Sequence, residues 1–213
     1  MEIRRVKKHD VDMTSGSVFR HLLNFAVPLL MGNIFQQLYN TVDTWVVGNY
    51  VSNEAFSAVG TVAPIINTLI GAFSGLASGA GVVISQYYGA GKYDRVKDAV
   101  HTAVMMTLVL SVVFTAIGIA MTPNMLRLMK TPAEVFPESR AYLNIYFSGM
   151  AGLMLYNMGA GILRAVGDSK RPFYYLVCAA VINTVLDLVF VIAFGMGVEG
   201  VAYATIIAQG ISA

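Results

Sequence analysis

Long stretches without charged residues constrain this chain more than any other feature. Six runs contain at most one Asp, Glu, Lys or Arg, at residues 22–53, 55–91, 99–126, 141–163, 172–198 and 200–213. A membrane-spanning helix needs about 20 mostly apolar residues, and the first five runs are long enough. At 1.5 Å per residue the sixth run reaches only about 21 Å, short of a hydrocarbon core roughly 30 Å thick. The sequence therefore predicts an all-α, polytopic membrane helix bundle with five full transmembrane helices and a truncated sixth.

The composition agrees with a membrane protein. Hydrophobic residues make up 56% of the chain and charged residues only 12%, whereas a soluble domain carries about 25% charged residues. This excludes a disordered chain, a disulfide scaffold and an ordinary cytosolic enzyme. The net charge of +2 gives no reason to expect nucleic acid as a partner, and the single cysteine, Cys178, cannot form an intrachain disulfide. The lipid bilayer is the expected partner.

The distribution of basic residues predicts the orientation. Eleven of the 14 Lys and Arg residues lie in the N-terminal segment and in the loops after predicted helices 2 and 4, and three lie on the other side. Because cytoplasmic loops carry the excess of basic residues, we expect a multi-pass protein of the cell membrane with a cytoplasmic N terminus. We divide the chain into a cytoplasmic segment, 1–17, and a transmembrane unit, 18–213. The predicted helices span about 19–47, 56–87, 100–122, 140–163, 172–194 and 199–213.

Predicted helix 1 carries a polar stripe. Asn33, Gln36, Asn40 and Asp43 fall on one helical face. Such a stripe cannot face lipid, so it faces water or other helices. For the amides, hydrogen bonding between helices is an equally good interpretation. Pro28, earlier in the same helix, removes one backbone hydrogen bond and is expected either to bend the helix or only to shape it.

Two carboxylates are expected inside the bilayer. They are Asp43 and Asp187, and no Lys or Arg within the predicted spans can neutralise them. A charge at the centre of a bilayer costs at least about 2.5–3.5 kcal/mol. The two side chains must therefore bind a cation, a proton or both. The alternative is a pair of neutral acids that are hydrogen-bonded to support helix packing.

Other oxygen-bearing side chains lie at the same predicted depth. Asn183 is one helical turn before Asp187, and Thr205 is one to two turns into predicted helix 6. Carboxylate, amide and hydroxyl oxygens suit a hard cation such as sodium. We therefore predict one site, formed by Asp43, Asn183, Asp187 and Thr205, at which sodium and protons compete. Competition of this kind is what couples an ion gradient to a conformational change.

Two weaker patterns concern packing. Gly71, Gly75 and Gly79 recur every four residues and predict close approach of another helix to predicted helix 2. Leu126, Leu128 and Met129, in the predicted loop after helix 3, suggest a short helix on the membrane surface. No intramembrane His, Ser–His pair or cluster of metal ligands is visible, so the sequence does not predict an enzyme.

Four segments carry a family resemblance. They are FAVPLLMGNIFQQLYNTVDTWVVG in predicted helix 1, QYYGAGKYDRV between helices 2 and 3, LRAVGDSKRPF after helix 4 and NTVLDLVFV in helix 5. In this order and spacing, over about residues 13–213, the chain resembles the first half of a multidrug and toxic compound extrusion (MATE) transporter. The resemblance implies one lobe of a twelve-helix, two-lobe antiporter that exports cationic or amphipathic drugs in exchange for sodium or protons, with no cofactor beyond the transported ion.

The resemblance also assigns roles to residues. It implies that Pro28 is the bend in helix 1 and that Asp43, Asn183, Asp187 and Thr205 form the cation site. It implies that Tyr142 and Asn157 line or support this site. Gln36, Tyr39 and Asn40 would face the substrate cavity.

The chain departs from the family pattern because the second lobe is absent. The sequence leaves open a truncated gene product, an engineered fragment, or a half that pairs with a second copy. Two other functions remain as alternatives, namely a flippase for lipid-linked precursors and a non-transporting membrane subunit. A flippase would favour basic residues in its cavity to hold diphosphates, and no Lys or Arg lies in the interior of a predicted span, since Arg20 and Arg140 stand at span ends.

Overall fold

The computed structural model describes residues 17–213, so all of the predicted cytoplasmic segment except Ser17 lies outside the described residues. The described chain is a bundle of helices without a strand. The helices are α1 Val18–Tyr50, α2 Asn53–Gly89, α3 Tyr93–Leu128, α4 Phe136–Ser148, α5 Met150–Ala165, α6 Lys170–Leu188 and α7 Val198–Ser212, with a π-helical segment at Val189–Ala193 after α6.

The predicted fourth helix is interrupted. Residues 140–163 belong to two helices, α4 and α5, which meet at Gly149. A Cβ atom at this position would lie 2.3 Å from the side chain of Ile206 on α7, so only glycine lets α7 come this close. The glycine at the interruption is therefore required by a contact between residues far apart in sequence, which helical periodicity does not show.

The predicted surface helix after helix 3 is wrong. α3 continues through Pro123 as far as Leu128, and Leu126 is buried in the core. A turn then leads into α4, with Lys130 at a positive φ of 56°. The apolar residues that suggested a surface helix belong to the last turn of α3 and its cap.

Within residues 17–213, three helices are long and apolar enough to cross a membrane, namely Asn53–Gly89, Tyr93–Leu128 and Lys170–Ala193. By this criterion of length and hydropathy, three of the five predicted full spans are found. α1 has 33 residues, so its length suffices, but its polar stripe makes it less apolar. α4 and α5 are shortened by the break at Gly149. Large apolar side chains such as Val109 and Val112 point outward from α3, as lipid-facing residues do.

The expected packing at the glycine stripe is not found among the described residues. A Cβ atom at Gly71, Gly75 or Gly79 would have no neighbour within 4 Å. α2 packs instead against α5 through the helical face that carries Ala77, and Gly161 of α5 lies against this residue. The small residues that allow close approach are therefore not the ones that the four-residue repeat indicates.

The remaining packing brings three distant segments together. α1 packs along α6, α6 packs against α7, and α7 also contacts α4 and α5. The core contains large buried side chains, including Leu126, Leu143, Phe147 and Met150. This arrangement places Asp43, in the polar stripe of α1, against polar residues of α6 and α7.

Candidate cation site

Four polar side chains from three helices meet inside the bundle. Asp43 comes from α1, Asn183 and Asp187 come from α6, and Thr205 comes from α7. All four are buried, with Asp43 6% exposed and Asp187 completely enclosed. The structure thus brings together the four residues that the sequence grouped by depth.

Asn183 bridges the two carboxylates. With its nitrogen turned toward them, Nδ2 donates to Asp43 Oδ1 at 2.7 Å and to Asp187 Oδ2 at 3.2 Å, while Oδ1 accepts from the Thr205 backbone N–H at 3.3 Å. The two carboxylate oxygens are therefore no more than about 6 Å apart, where two negative charges repel by at least about 3 kcal/mol at an effective dielectric constant of 20. A proton or a cation at this position relieves the repulsion.

The other polar groups of the site leave acceptor capacity free. The Thr205 hydroxyl donates to the Val201 carbonyl at 2.9 Å and also lies within hydrogen-bonding reach of Asp43. Asp187 Oδ1 is buried and has no hydrogen-bond partner within the described structure. The site therefore presents several oxygen atoms and few donors, which suits a proton or a hard cation such as sodium.

A cavity of about 750 Å³ opens beside the site, within the range of drug-sized ligand pockets. Asp43 and Thr205 line this cavity, whereas Asn183 and Asp187 are enclosed behind them. Its walls come from α1, α2, α4 and α7, and none of the described residues that line it is Lys or Arg. Asp43 thus belongs both to the carboxylate pair and to the cavity wall.

The family model described as MatE matches residues 28–189, which is most of the chain. The chain belongs to the MatE family. This confirms the resemblance to MATE transporters, and members of the family are transporters rather than enzymes.

Similar proteins and structures agree with this assignment. The chain is 39% identical over 90% of its length to "Probable multidrug resistance protein YoeA" and 34% identical over 94% to "Probable multidrug resistance protein YpnP", both from Bacillus subtilis (strain 168). A solved structure, the "Outward-facing conformation of a multidrug resistance MATE family transporter of the MOP superfamily", matches 96% of the chain with 26% identity and a TM-score of 0.89.

The match covers only part of these proteins. The chain spans 42% of YoeA, 45% of YpnP and 45% of the solved chain. It corresponds to the N-terminal lobe of MatE transporters, as the sequence predicted.

The resemblance assigned Gln36, Tyr39 and Asn40 to the substrate cavity, and all three line the cavity of this MatE lobe. It assigned Tyr142 and Asn157 to the lining or support of the cation site. Tyr142 lines the cavity together with Asp43, whereas Asn157 does not line it and donates from its amide to the Leu153 carbonyl of its own helix at 2.8 Å. Pro28 lies inside the continuous helix α1, about 22 Å along the axis from Asp43.

For two further residues in the cavity wall of the MatE lobe, Tyr146 and Gln209, the sequence had not predicted a role. Tyr146 stacks on Tyr142 with ring centroids 6.4 Å apart, and both are buried beside Asp43. Gln209 lies one turn beyond Thr205 on α7. Each follows an assigned residue by four positions, a spacing that places both side chains on one helical face and could have identified them.

Proposed function

We propose that this chain is the N-terminal half of a cation-coupled antiporter of the cell membrane that exports cationic or amphipathic drugs. Asp43, Asn183, Asp187 and Thr205 form its coupling site, which accepts sodium or protons. The decisive observation is the buried carboxylate pair bridged by Asn183, beside a cavity whose described lining residues include no basic side chain. The names of the relatives, which refer to multidrug resistance, support drug export.

Coupling follows from the repulsion between the carboxylates. Asp43 lies on α1 and Asp187 on α6, so the charge state of the pair acts directly on the packing of these two helices. A proton or cation removes the repulsion and favours the arrangement in which α1 and α6 are packed together at the site. An occupant with a higher affinity for one arrangement shifts the population toward it.

The amide of Asn183 suits a pair of charged carboxylates, because its nitrogen donates to both of them.

In this proposal the substrate and the coupling ion bind to the same negative charge, the carboxylate of Asp43. Because Asp43 also lines the cavity, a cationic drug there competes with the coupling ion for the same carboxylate. We expect the N terminus of the lobe to be cytoplasmic, as the basic residues indicate, and a second lobe or a second copy to complete the transporter. A flippase for lipid diphosphates is not favoured, since such a cavity would need basic residues.

Trp45 provides a test of ion binding. It lies two residues after Asp43, lines the cavity and is 54% exposed. We expect the tryptophan fluorescence of the chain in lipid nanodiscs to change saturably as sodium replaces choline at constant ionic strength, or as the pH falls. A response to acid alone would identify the proton as the coupling ion.

The control for this experiment is the same titration with the variant Asp187→Asn. Trp45 lines the cavity and Asp187 does not, so the substitution leaves the cavity wall around Trp45 unchanged. The signal is expected to disappear or to require a much higher ion concentration. An unchanged titration in this variant would contradict the coupling role of the carboxylate pair. A wild-type chain that responds to neither ion would support the non-transporting subunit.

A further inference from the structure

A second cavity, of about 330 Å³, lies between α2 and α3, next to the short turn that joins them. Because the two helices run antiparallel from this turn, Tyr87 of α2 and Arg95 of α3 line its near end, and Ala80 of α2 and Met106 of α3 line its far end. None of the described residues that line it belongs to the cavity beside the cation site. The two cavities are therefore distinct, and we call the second one the α2–α3 groove.

The α2–α3 groove has the length of one lipid leaflet. Arg95 and Met106 both line it and are 11 residues apart, which corresponds to about 16 Å along α3. Half of a hydrocarbon core that is roughly 30 Å thick measures about 15 Å. The groove therefore extends from the charged first turns of α3 into the membrane over a distance similar to that of a lipid acyl chain.

The deep part of the groove is apolar and is kept open by small side chains. Ala80, Ala99 and Ala103 line it, and Ala103 is buried against the apolar cluster behind it. The larger side chains of Val83 and Met106 also line the groove and are exposed toward the surroundings of the helix bundle. Small side chains flanked by larger apolar ones suit an acyl chain that lies along α3.

The end of the groove near the turn carries one positive and one negative charge. Arg95 and Asp98 both line it, both are exposed, and they are three residues apart on α3, so their Cβ atoms are about 5–6 Å apart. Neither forms an ion pair within residues 17–213, whereas the neighbouring Asp94 and Lys97 pair with each other at 3.8 Å. The two unpaired charges are therefore both available to a ligand.

We propose that the α2–α3 groove binds one phospholipid that has an ethanolamine headgroup. The guanidinium of Arg95 binds the phosphate, and the carboxylate of Asp98 accepts a hydrogen bond from the ammonium. The phenol ring of Tyr87 lies beside the headgroup, as tyrosines at a membrane–water interface do. An acyl chain fills the apolar part along Ala99 and Ala103.

The pair of opposite charges favours this headgroup over the other common ones. A glycerol headgroup has the phosphate but no cation, so it leaves a negative charge next to Asp98. A choline headgroup has a cation but no N–H group to donate to the carboxylate. This inference goes beyond the proposed function and does not depend on it, because the groove shares no described lining residue with the drug cavity.

The test is native mass spectrometry of the full chain released from detergent micelles and titrated with three lipids. Phosphatidylethanolamine, phosphatidylcholine and phosphatidylglycerol with identical acyl chains differ only in the headgroup. We expect the wild type to bind one molecule of phosphatidylethanolamine saturably and about threefold more tightly than either other lipid, the effect of a partly exposed ion pair.

Asp98→Asn is expected to weaken phosphatidylethanolamine binding about threefold and to strengthen phosphatidylglycerol binding, since it removes both an attraction and a repulsion. Asp94→Asn is the matched control, because it removes the same charge one turn earlier on α3, from a side chain that does not line the groove. It is expected to leave the order of the three lipids unchanged. Arg95→Gln should weaken all three, because they share the phosphate.

Ala99→Leu tests the position of the acyl chain. The larger side chain fills the groove and is expected to weaken binding of all three lipids without changing their order. Ala72→Leu is its control, since Ala72 is an exposed residue of α2 that does not line the groove. Circular dichroism and a single elution peak verify the fold of each variant.

The outcomes separate a specific site from ordinary contact with the bilayer. Equal or non-saturable binding of the three lipids by the wild type would overturn the inference. Identical responses of Asp98→Asn and Asp94→Asn would overturn it too, because they would indicate a general effect of charge. Full binding by Ala99→Leu would place the lipid elsewhere. A change of lipid order that is confined to Asp98→Asn, together with weaker binding by Ala99→Leu, supports the inference.

Discussion

Asp187→Asn is expected to lower cation-driven drug efflux at least tenfold in a full-length transporter that carries this lobe. The substitution keeps the shape of the side chain but removes the charge that a proton or cation neutralises. The Asn183 amide then bridges only one carboxylate, and the repulsion between α1 and α6 disappears in every state of the cycle. Without a difference between the occupied and empty site, an ion gradient cannot drive a conformational change. Efflux of a fluorescent cation from loaded cells, with and without the gradient, measures this effect.

The same loss is expected for Asp43→Asn, which also removes the charge from the cavity wall. Asp94→Asn is the matched control, since Asp94 is an exposed acid that forms only a surface ion pair with Lys97 at 3.8 Å. Surface pairs of this kind contribute little, so efflux should stay at the wild-type level. Normal activity in both Asp43→Asn and Asp187→Asn, with normal expression, would contradict the proposed mechanism.

Gly118→Ala is expected to destabilise the lobe by about 3 kcal/mol, the upper part of the range for overpacking a core. A Cβ atom at this position would lie 2.2 Å from the ring of Phe147, which is buried in the core. The ring packs at the end of α4 next to the break at Gly149, so it cannot move without shifting α4 against α3. The thermal unfolding midpoint of the chain in detergent micelles measures the effect.

Gly75→Ala provides the comparison for this variant. The same methyl group is added to the interior of a helix, but a Cβ atom at Gly75 would have no neighbour within 4 Å. Alanine is favoured over glycine within helices by about 1 kcal/mol, so this variant should be as stable as the wild type or slightly more stable. If both variants lowered the midpoint equally, helix packing around Gly118 would not be the cause.

The carboxylate site could be predicted from the sequence because charge inside a membrane is costly enough to need a partner. Asn183 and Asp187 are one turn apart on the same helix, and Asp43 is the other isolated acid. Their predicted depth in the membrane was therefore enough to group the three residues. The structure brings these side chains together, since the Asn183 amide reaches both acids. Two acids and an amide inside predicted spans that hold almost no other charge are a strong signal.

Features that depend on contacts between distant segments could not be predicted. Gly149, at the break between α4 and α5, lies against Ile206, which is 57 residues further along the chain. The glycine repeat of α2 predicted packing at Gly71, Gly75 and Gly79, whereas α5 packs on Ala77. The unpaired oxygen of Gln209 is likewise a property of its surroundings, since the sequence shows an amide but not which hydrogen bonds it lacks.

The absence of basic residues among the described lining residues of the cavity has an electrical consequence. Among the described residues, only Asp43 and Asp187 contribute fixed charge to the cation site and the cavity beside it, whichever cation binds. When one monovalent drug replaces one sodium ion or proton, the total does not change. Moving one uncompensated charge across a membrane involves about 2.3 kcal/mol per 100 mV. A one-for-one exchange at these two acids would therefore be indifferent to voltage, and the concentration gradient of the ion would have to supply the driving force.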